Sequence, residues 1–237
     1  MPVSLTIAEL TERFPDFKVA VLLFRDLVIA PARGDNLDAD ILAREEACRT
    51  RHAGLELSAI PGVAAWRSAY KGFGIKKTSY RSSVERLIKR VIAGERLPAI
   101  NPFVDAYNAV SLAHGFCIGA DDLDRIAPPI AFRYSRPGDT FLDMAAAPGE
   151  DPDDPPKEGE VVLADSRHVL CRRWNWRQDM RSAISSETKA ALVTIQANGW
   201  GDLEAAGTDL LGLIGASCGG TASVATADRQ RPTITVE

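Results

Sequence analysis

Two short stretches of the chain concentrate side chains able to grip or transform a ligand. The first is Lys76-Lys77-Thr78-Ser79-Tyr80-Arg81-Ser82-Ser83, in which hydroxyls, an aromatic ring and three cations run up to the start of a helix. Backbone amides at a helix N-terminus hold anions such as a phosphate or a carboxylate. A polar turn followed by a capped helix accounts for the same residues. The second is Cys171-Arg172-Arg173-Trp174-Asn175-Trp176-Arg177-Gln178-Asp179, which holds two of the four tryptophans. Trp, Asn and Arg line pockets, stack on bases or close the edge of a core. Their mixture with Asp favours a strand or loop that faces a ligand. A third set, Asp105, Asn108 and Ser111, recurs at spacings of three on an otherwise apolar segment. Polar groups there need partners if they are buried.

Other chemistries lack their signatures. Gly72-Phe73-Gly74 is too short for a dinucleotide fingerprint, and no Gly-rich run ends in Gly-Lys-Ser/Thr. His52, His114 and His168 share no ligand spacing, and Cys48, Cys117, Cys171 and Cys218 are unpaired in sequence. That pattern fits neither a zinc site nor a disulfide framework, so no metal is expected. There is no Gly-x-Ser-x-Gly elbow. Cys117 reads as a buried structural thiol rather than a partner of His114.

The elements that must hold these residues are partly visible. Ser82 caps a helix and Glu85 sits three positions later, the spacing of a capping box. Val84, Leu87, Ile88 and Val91 form its apolar stripe, and Gly94 stops it. Glu85 and Lys89 are expected to pair on its exposed side, and Arg86, Lys89 and Arg90 are left to solvent or a polyanion. Asn101 and Pro102 start the next helix, which carries Asp105, Asn108 and Ser111 and ends at Gly115. Earlier helices are predicted over 38–53, closed by Gly54, and over 61–71. Strands are expected at 18–24, 130–134, 160–164, 168–173 and 232–236, with a tight turn near Asp165-Ser166-Arg167. Residues 190–196 fit a helix or a strand, 205–217 reads as helical, and 148–159 reads as an exposed loop. Helix and strand do not alternate regularly. This order predicts α+β with a mixed sheet rather than a doubly wound fold.

The chain has 237 residues, 46% of them hydrophobic, enough for one sizeable core. One domain over 1–237 is expected, because no long linker divides it. With 28 basic and 32 acidic residues the net charge is -4, which argues against a non-specific basic nucleic-acid binder. Basic residues nevertheless gather at 67–96 and 167–181, so a basic face on an acidic protein is possible; a solvated surface of mixed sign is the alternative. No signal-peptide pattern and no apolar run near the ~18 residues of a membrane span is present. The expected compartment is the cytoplasm, with reduced thiols.

The string Leu97-Pro98-Ala99-Ile100-Asn101-Pro102-Phe103-Val104-Asp105-Ala106-Tyr107-Asn108-Ala109-Val110-Ser111-Leu112 resembles a block of the B3/B4 editing domain of the phenylalanyl-tRNA synthetase beta chain. That block reads roughly Pro-Ile-Asn-x-x-Val-Asp-Val-Thr-Asn-Tyr-Val. The similarity continues through Gly115 and Asp122-Leu123-Asp124, and the helix from Ser83 resembles that domain's helix. Arg136-Pro137-Gly138-Asp139 resembles its Arg-x-Gly-Glu turn, and Asp165 the aspartate of its next hairpin. Tyr80-Arg81-Ser82-Ser83-Val84-Glu85, Val104-Asp105-x-x-Asn108 and Arg172-x-Trp174-Asn175-Trp176-Arg177 resemble stand-alone relatives. The resemblance covers about residues 15–200.

The resemblance implies a B3/B4-like three-layer α+β sandwich with a mixed β-sheet and packed helices. It implies hydrolysis of the ester of a mischarged aminoacyl-tRNA in trans, without metal or organic cofactor. The implied partner is the acylated 3' end of a tRNA, with no DNA, no membrane, and a monomer or weak homodimer. Free-standing relatives include deacylases that clear canavanine from arginine tRNA, which makes canavanyl-tRNA the specific candidate. Tyr80, Ser82, Ser83 and Asn108 are then the candidate catalytic residues. Lys77, Ser79, Arg81, Asp105, Ser111, Arg172, Trp174, Asn175, Arg177, Asp179 and Glu187 are candidates for substrate binding, and Lys76, Arg86, Lys89 and Arg90 for RNA. Asp105 has a structural alternative, tying its helix to a neighbouring loop. A guanidino-like side chain would want a carboxylate, for which Asp179, Glu187 and Asp122 are candidates. The synthetase carries a histidine in His-Ala-Phe-Asp; the aligned residues are Gly119-Ala120-Asp121-Asp122, so a different amino acid is the expected target. A non-catalytic tRNA or amino-acid binding module, and a hydrolase of non-RNA esters or amides, are the competing readings.

Overall fold

Helices and strands follow one another irregularly along the chain, in a computed structural model that describes residues 2–75 and 80–237. The strands are β1 Val3–Thr6, β2 Phe17–Arg25, β3 Cys117–Asp122, β4 Ile130–Tyr134, β5 Val161–Ala164, β6 Val169–Arg172, β7 Arg177–Gln178, β8 Ala191–Asn198, β9 Thr221–Ala227 and β10 Thr233–Val236. The helices are α1 Asp35–Arg51, α2 Pro61–Gly72, α3 Ser83–Ile92, α4 Pro102–His114 and α5 Leu203–Cys218. No helix among the described residues is long and apolar enough to cross a membrane.

The strands form two sheets. One has the order β10-β1-β4-β5-β6-β7 and is mixed, because β1 and β4 run parallel. The other is antiparallel, in the order β3-β8-β2-β9. Strand β2 is apolar on both faces because both are covered. Phe17 meets Phe132 of β4 with ring centroids 5.2 Å apart. Phe24, seven residues on and therefore on the opposite face, meets Phe103 of α4 at 5.7 Å. The four-stranded sheet is thus the middle layer, with the six-stranded sheet on one side and helices on the other; α5 packs on β2 and β8. This is the α+β architecture with a mixed sheet anticipated from the sequence.

The two helices nearest the candidate residues start where their caps require. Ser82 Oγ accepts the Glu85 amide at 3.4 Å, and Asn101 Oδ1 accepts the Val104 amide at 3.0 Å. Gly115 ends α4 in the left-handed conformation, φ 76°, with its amide on the Ser111 carbonyl. Glu85 does not pair with Lys89 at the surface. It is buried and binds Arg67 of α2 at 2.7 Å and Arg81 at 2.9 Å, which ties α2 to α3. Residues 190–196 belong to strand β8, hydrogen-bonded on both sides by β2 and β3. Helix α1 stops at Arg51, before Gly54.

Candidate functional site

The tryptophan-rich stretch begins in a strained turn. Arg173 and Trp174 have φ of 44° and 67°, a region that bulky side chains rarely enter and that costs roughly 1–3 kcal/mol per residue. Buried contacts on both sides hold it. The Trp174 amide donates to the Val161 carbonyl at 2.6 Å, and the Trp176 amide to the Arg172 carbonyl at 3.1 Å. The Trp174 indole packs edgewise against Phe14, Phe17 and Trp66, with centroids 4.7, 4.8 and 5.3 Å away. The Arg172 guanidinium is fully buried on Glu160, at 3.0 and 2.9 Å, and on Asp154. The turn delivers Asn175, Trp176, Arg177 and Gln178 into a cavity of about 380 Å³. Strain of this kind, held by its surroundings, is common beside functional sites.

The cavity lies between the two sheets and is closed by α3 and α4. Its polar interior is cross-linked. The Tyr70 hydroxyl donates to Asn175 Oδ1 at 2.9 Å, Asn175 Nδ2 to Gln196 Oε1 at 3.1 Å, and Gln196 Nε2 to Thr194 Oγ1 at 3.1 Å. Asn175, Thr194 and Gln196 all line the space. Asp121 of β3 lines it as well and is 2% exposed. The Ser182 hydroxyl donates to its Oδ1 at 2.7 Å and Gln178 Nε2 donates to the same oxygen at 2.5 Å. Among the described residues no hydrogen bond reaches Asp121 Oδ2 and no cation pairs with it. Burial pushes Asp121 up to about 7; the bonds from Ser182 and Gln178 pull the other way, and the charges of Asp179 and Asp165 add to the rise. Tyr107 of α4 also faces the cavity, and burial raises its hydroxyl well above the ordinary range.

The mouth has the opposite sign. Arg86 and Arg90 of α3 are exposed lining residues, and half-buried Arg177 lies beside them. Arg86 donates to the Trp176 carbonyl at 3.3 Å. The Arg177 guanidinium sits 4.9 Å from the Trp176 ring centroid and 3.9 Å from Asp143. Arg90 donates to the Arg96 carbonyl at 2.6 Å and pairs with Glu95 at 3.0 Å. Two neutral groups in the wall lack full partners. The Asn108 carboxamide makes no hydrogen bond among the described residues. Ser83 Oγ is buried and completes none of ordinary geometry, with the Cys117 thiol as its polar neighbour.

Of the residues singled out from the sequence, Ser83, Asn108, Asn175, Arg177, Arg86 and Arg90 therefore converge on one cavity. Tyr80 stands behind its wall, edge-on to Trp176 at 5.1 Å and under the Arg173 guanidinium at 3.9 Å. The others are employed elsewhere. Ser82 is a cap and Arg81 binds Glu85. Asp105 accepts the Ile100 amide at 2.9 Å and Arg33 at 3.3 Å, the loop-tying arrangement. The Ser111 hydroxyl donates to the Phe116 carbonyl at 2.6 Å. Arg172 and Trp174, expected at the pocket rim, are core residues for the reasons above. Asp179 is fully buried, accepting the Leu142 amide at 2.8 Å and pairing with Arg181 at 2.7 Å. Glu187 is exposed in the turn before β8, and Lys89 is exposed outside the cavity. Lys76, Lys77 and Ser79 lie outside the described residues.

Among the described residues no histidine lines the cavity. His114 bonds Asp209 at 2.8 Å rather than Cys117, and burial pushes the Cys117 thiol up to about 11. The described residues contain no cluster of three or more His, Cys, Asp or Glu suited to a metal ion. Sequence reasoning missed Asp121, Tyr107, Thr194 and Gln196 as lining groups, and held Gln178 only as a member of the Trp-rich stretch. The one available signal was Asp121-Asp122 closing the apolar run Cys117-Ile118-Gly119-Ala120.

A family model for the B3/4 domain matches residues 65–200, more than half of the 237. The chain belongs to the B3/4 domain family. Every cavity residue named above falls within the matched span of this B3/4 protein. It is similar to an N-terminal fragment of the phenylalanyl-tRNA synthetase beta-subunit from Pyrococcus horikoshii, at 16% identity and a TM-score of 0.46. That similarity covers 93% of this chain and 50% of the fragment, so the chain spans about half the fragment's length. No curated protein matches the sequence.

Proposed function

We propose that this B3/4 protein is a cytoplasmic editing enzyme that hydrolyses the ester of a mischarged aminoacyl-tRNA. The observation that carries the reading is the cavity itself. Arginines stand at its mouth, where the phosphodiesters next to the terminal ribose would lie. Asn108 sits in its wall with a carboxamide that makes no hydrogen bond among the described residues, and Ser83 has the Cys117 thiol as its polar neighbour. Its volume of about 380 Å³ is within the range of small-ligand pockets, room for an aminoacyl group.

An aminoacyl ester is activated by its ribose leaving group, so placement of ester and water supplies much of the rate. Water adds to the ester carbonyl, the resulting tetrahedral centre carries an oxyanion, and the ribose oxygen departs with a proton. The products are a free amino acid and an RNA with its terminal hydroxyl restored. Asn108 orients the water or the oxyanion through its carboxamide, and Ser83 donates from the N-terminal turn of α3, whose amides favour negative charge. Asn175 is held by Tyr70 and Gln196 and shapes the wall. Canavanyl-tRNA is the specific substrate that the resemblance to stand-alone relatives favours.

One observation favours a second reading. Among the described residues the cavity lining holds no histidine and no nucleophile–base pair, which suits a module that binds charged tRNA without turning it over. A panel of tRNAs charged with cognate, near-cognate and non-protein amino acids separates the two. The enzyme reading requires release of at least one amino acid in multiple turnovers; binding of charged tRNA without release supports the module. Rapid hydrolysis of small aminoacyl esters with indifference to RNA would point to a different ester hydrolase.

A further inference from the structure

We propose that Asp121 is the counter-ion for a cationic group of the aminoacyl moiety, anchoring the α-ammonium common to all amino acids or, where the partner is a basic side chain, selecting the amino acid. This rests on the editing reading above. Asp121 is buried in the cavity wall, both its bonds come from neutral donors, and both fall on Oδ1. Oδ2 receives no hydrogen bond among the described residues. Gly119, two residues earlier and on the same face of β3, leaves the approach open: a Cβ there would meet only Gln178 Oε1, at 4.0 Å. Among the described lining residues the other acid is Asp143, which is committed, with Oδ1 accepting the Ala145 amide at 2.9 Å and Arg177 nearby. The acids anticipated from the sequence do not serve. Asp179 is paired with Arg181, Asp122 accepts the Thr188 hydroxyl at 2.6 Å, and Glu187 is exposed.

The order of charge with depth adds to this. Exposed arginines at the mouth and a buried acid inside match a ligand with phosphodiesters at one end and a cation at the other. An aminoacylated RNA terminus is such a ligand. Its cation is either the α-ammonium or a basic side chain, amine or guanidino. A carboxylate that exchanges cavity water for such a donor gains a charge-assisted hydrogen bond, the strong class of these contacts.

Four amides resolve the source by titration of the full-length protein, read by fluorescence of Trp176 in the cavity wall. Argininamide carries both cations, norleucinamide only the α-ammonium, N-acetylargininamide only the side-chain cation, and N-acetylnorleucinamide neither. Asp121→Asn is expected to weaken argininamide roughly tenfold and leave N-acetylnorleucinamide unchanged. A loss on N-acetylargininamide assigns the side chain; a loss on norleucinamide assigns the α-ammonium. Asp121→Ser gives the same comparison should the Asn variant fold poorly. Equal affinities of wild type and both variants for all four amides, or no binding of any amide by wild type, would overturn the assignment. Loss of deacylation on every charged tRNA, with amide binding still dependent on Asp121, would remove the editing reading alone. Asp121-independent amide binding beside normal editing would remove this assignment alone.

Discussion

Replacing Asp121 by Asn should stabilise the protein above neutral pH. The Asn side chain keeps an oxygen where Ser182 and Gln178 donate, so no bond need be lost. What changes is the charge. Burial holds the carboxyl at about 7 against an ordinary 3.8. The folded state therefore binds its proton more tightly than the unfolded state does. For a group raised in this way, stability falls as pH rises from about 4 to about 7, and the full cost of ionisation is present above that. At 1.36 kcal/mol per pH unit, the gap corresponds to a gain for the variant on the order of 2–4 kcal/mol at pH 8. At pH 5 the gain should shrink by more than half, because the wild-type carboxyl is then neutral in the fold. Urea unfolding of both proteins at the two pH values measures this, and titrations shared by both cancel in the difference. An advantage equal at both pH values, or a variant less stable than wild type at pH 8, would refute the reasoning.

Asn108→Ala should lower deacylation about 100-fold while shifting stability by less than about 0.5 kcal/mol, since its carboxamide makes no hydrogen bond among the described residues. A large loss of thermal stability with normal turnover would remove it from the site. Arg86→Ala should weaken RNA binding and make the dependence of log affinity on log salt shallower by about one unit; an unchanged slope would take Arg86 off the RNA face. Trp174→Ala should cost about 3–5 kcal/mol by emptying the space between Phe14, Phe17 and Trp66. A variant of near wild-type stability would contradict its place in the core.

The parts of the fold written in local signals were readable. Helices α3 and α4 announce their starts through Ser82 and Asn101, and Gly115 closes α4, because caps depend on a few neighbouring residues. Strand β8 was ambiguous for a physical reason: buried along nearly its whole length, it opens with the apolar Ala191-Leu192-Val193, and Thr194 and Gln196 then alternate with Ile195 and Ala197 over too few residues to exclude a helix. Strands β1, β3 and β9 went unseen, β9 because its small residues, Thr221-Ala222-Ser223-Val224-Ala225-Thr226-Ala227, leave it largely exposed without an apolar stripe. The site divides in the same way. Asn108 and Arg86 face the cavity because helical spacing puts them there. Arg172 and Trp174 resemble ligand-binding groups in sequence, but Glu160 and three distant aromatic rings claim them. Asp121 was overlooked because its place in the cavity wall follows from strand pairing and from Gln178 and Ser182, about sixty residues away.

The most direct test is a crystal structure of the protein with a 3'-aminoacylamino-3'-deoxyadenosine, whose amide resists hydrolysis. The account predicts the aminoacyl group between α3, α4 and residues 175–178, with its carbonyl within hydrogen-bond reach of Asn108 and the adenosine toward Arg86 and Arg177. An analogue seated on any other face, with this cavity holding only solvent, would contradict it.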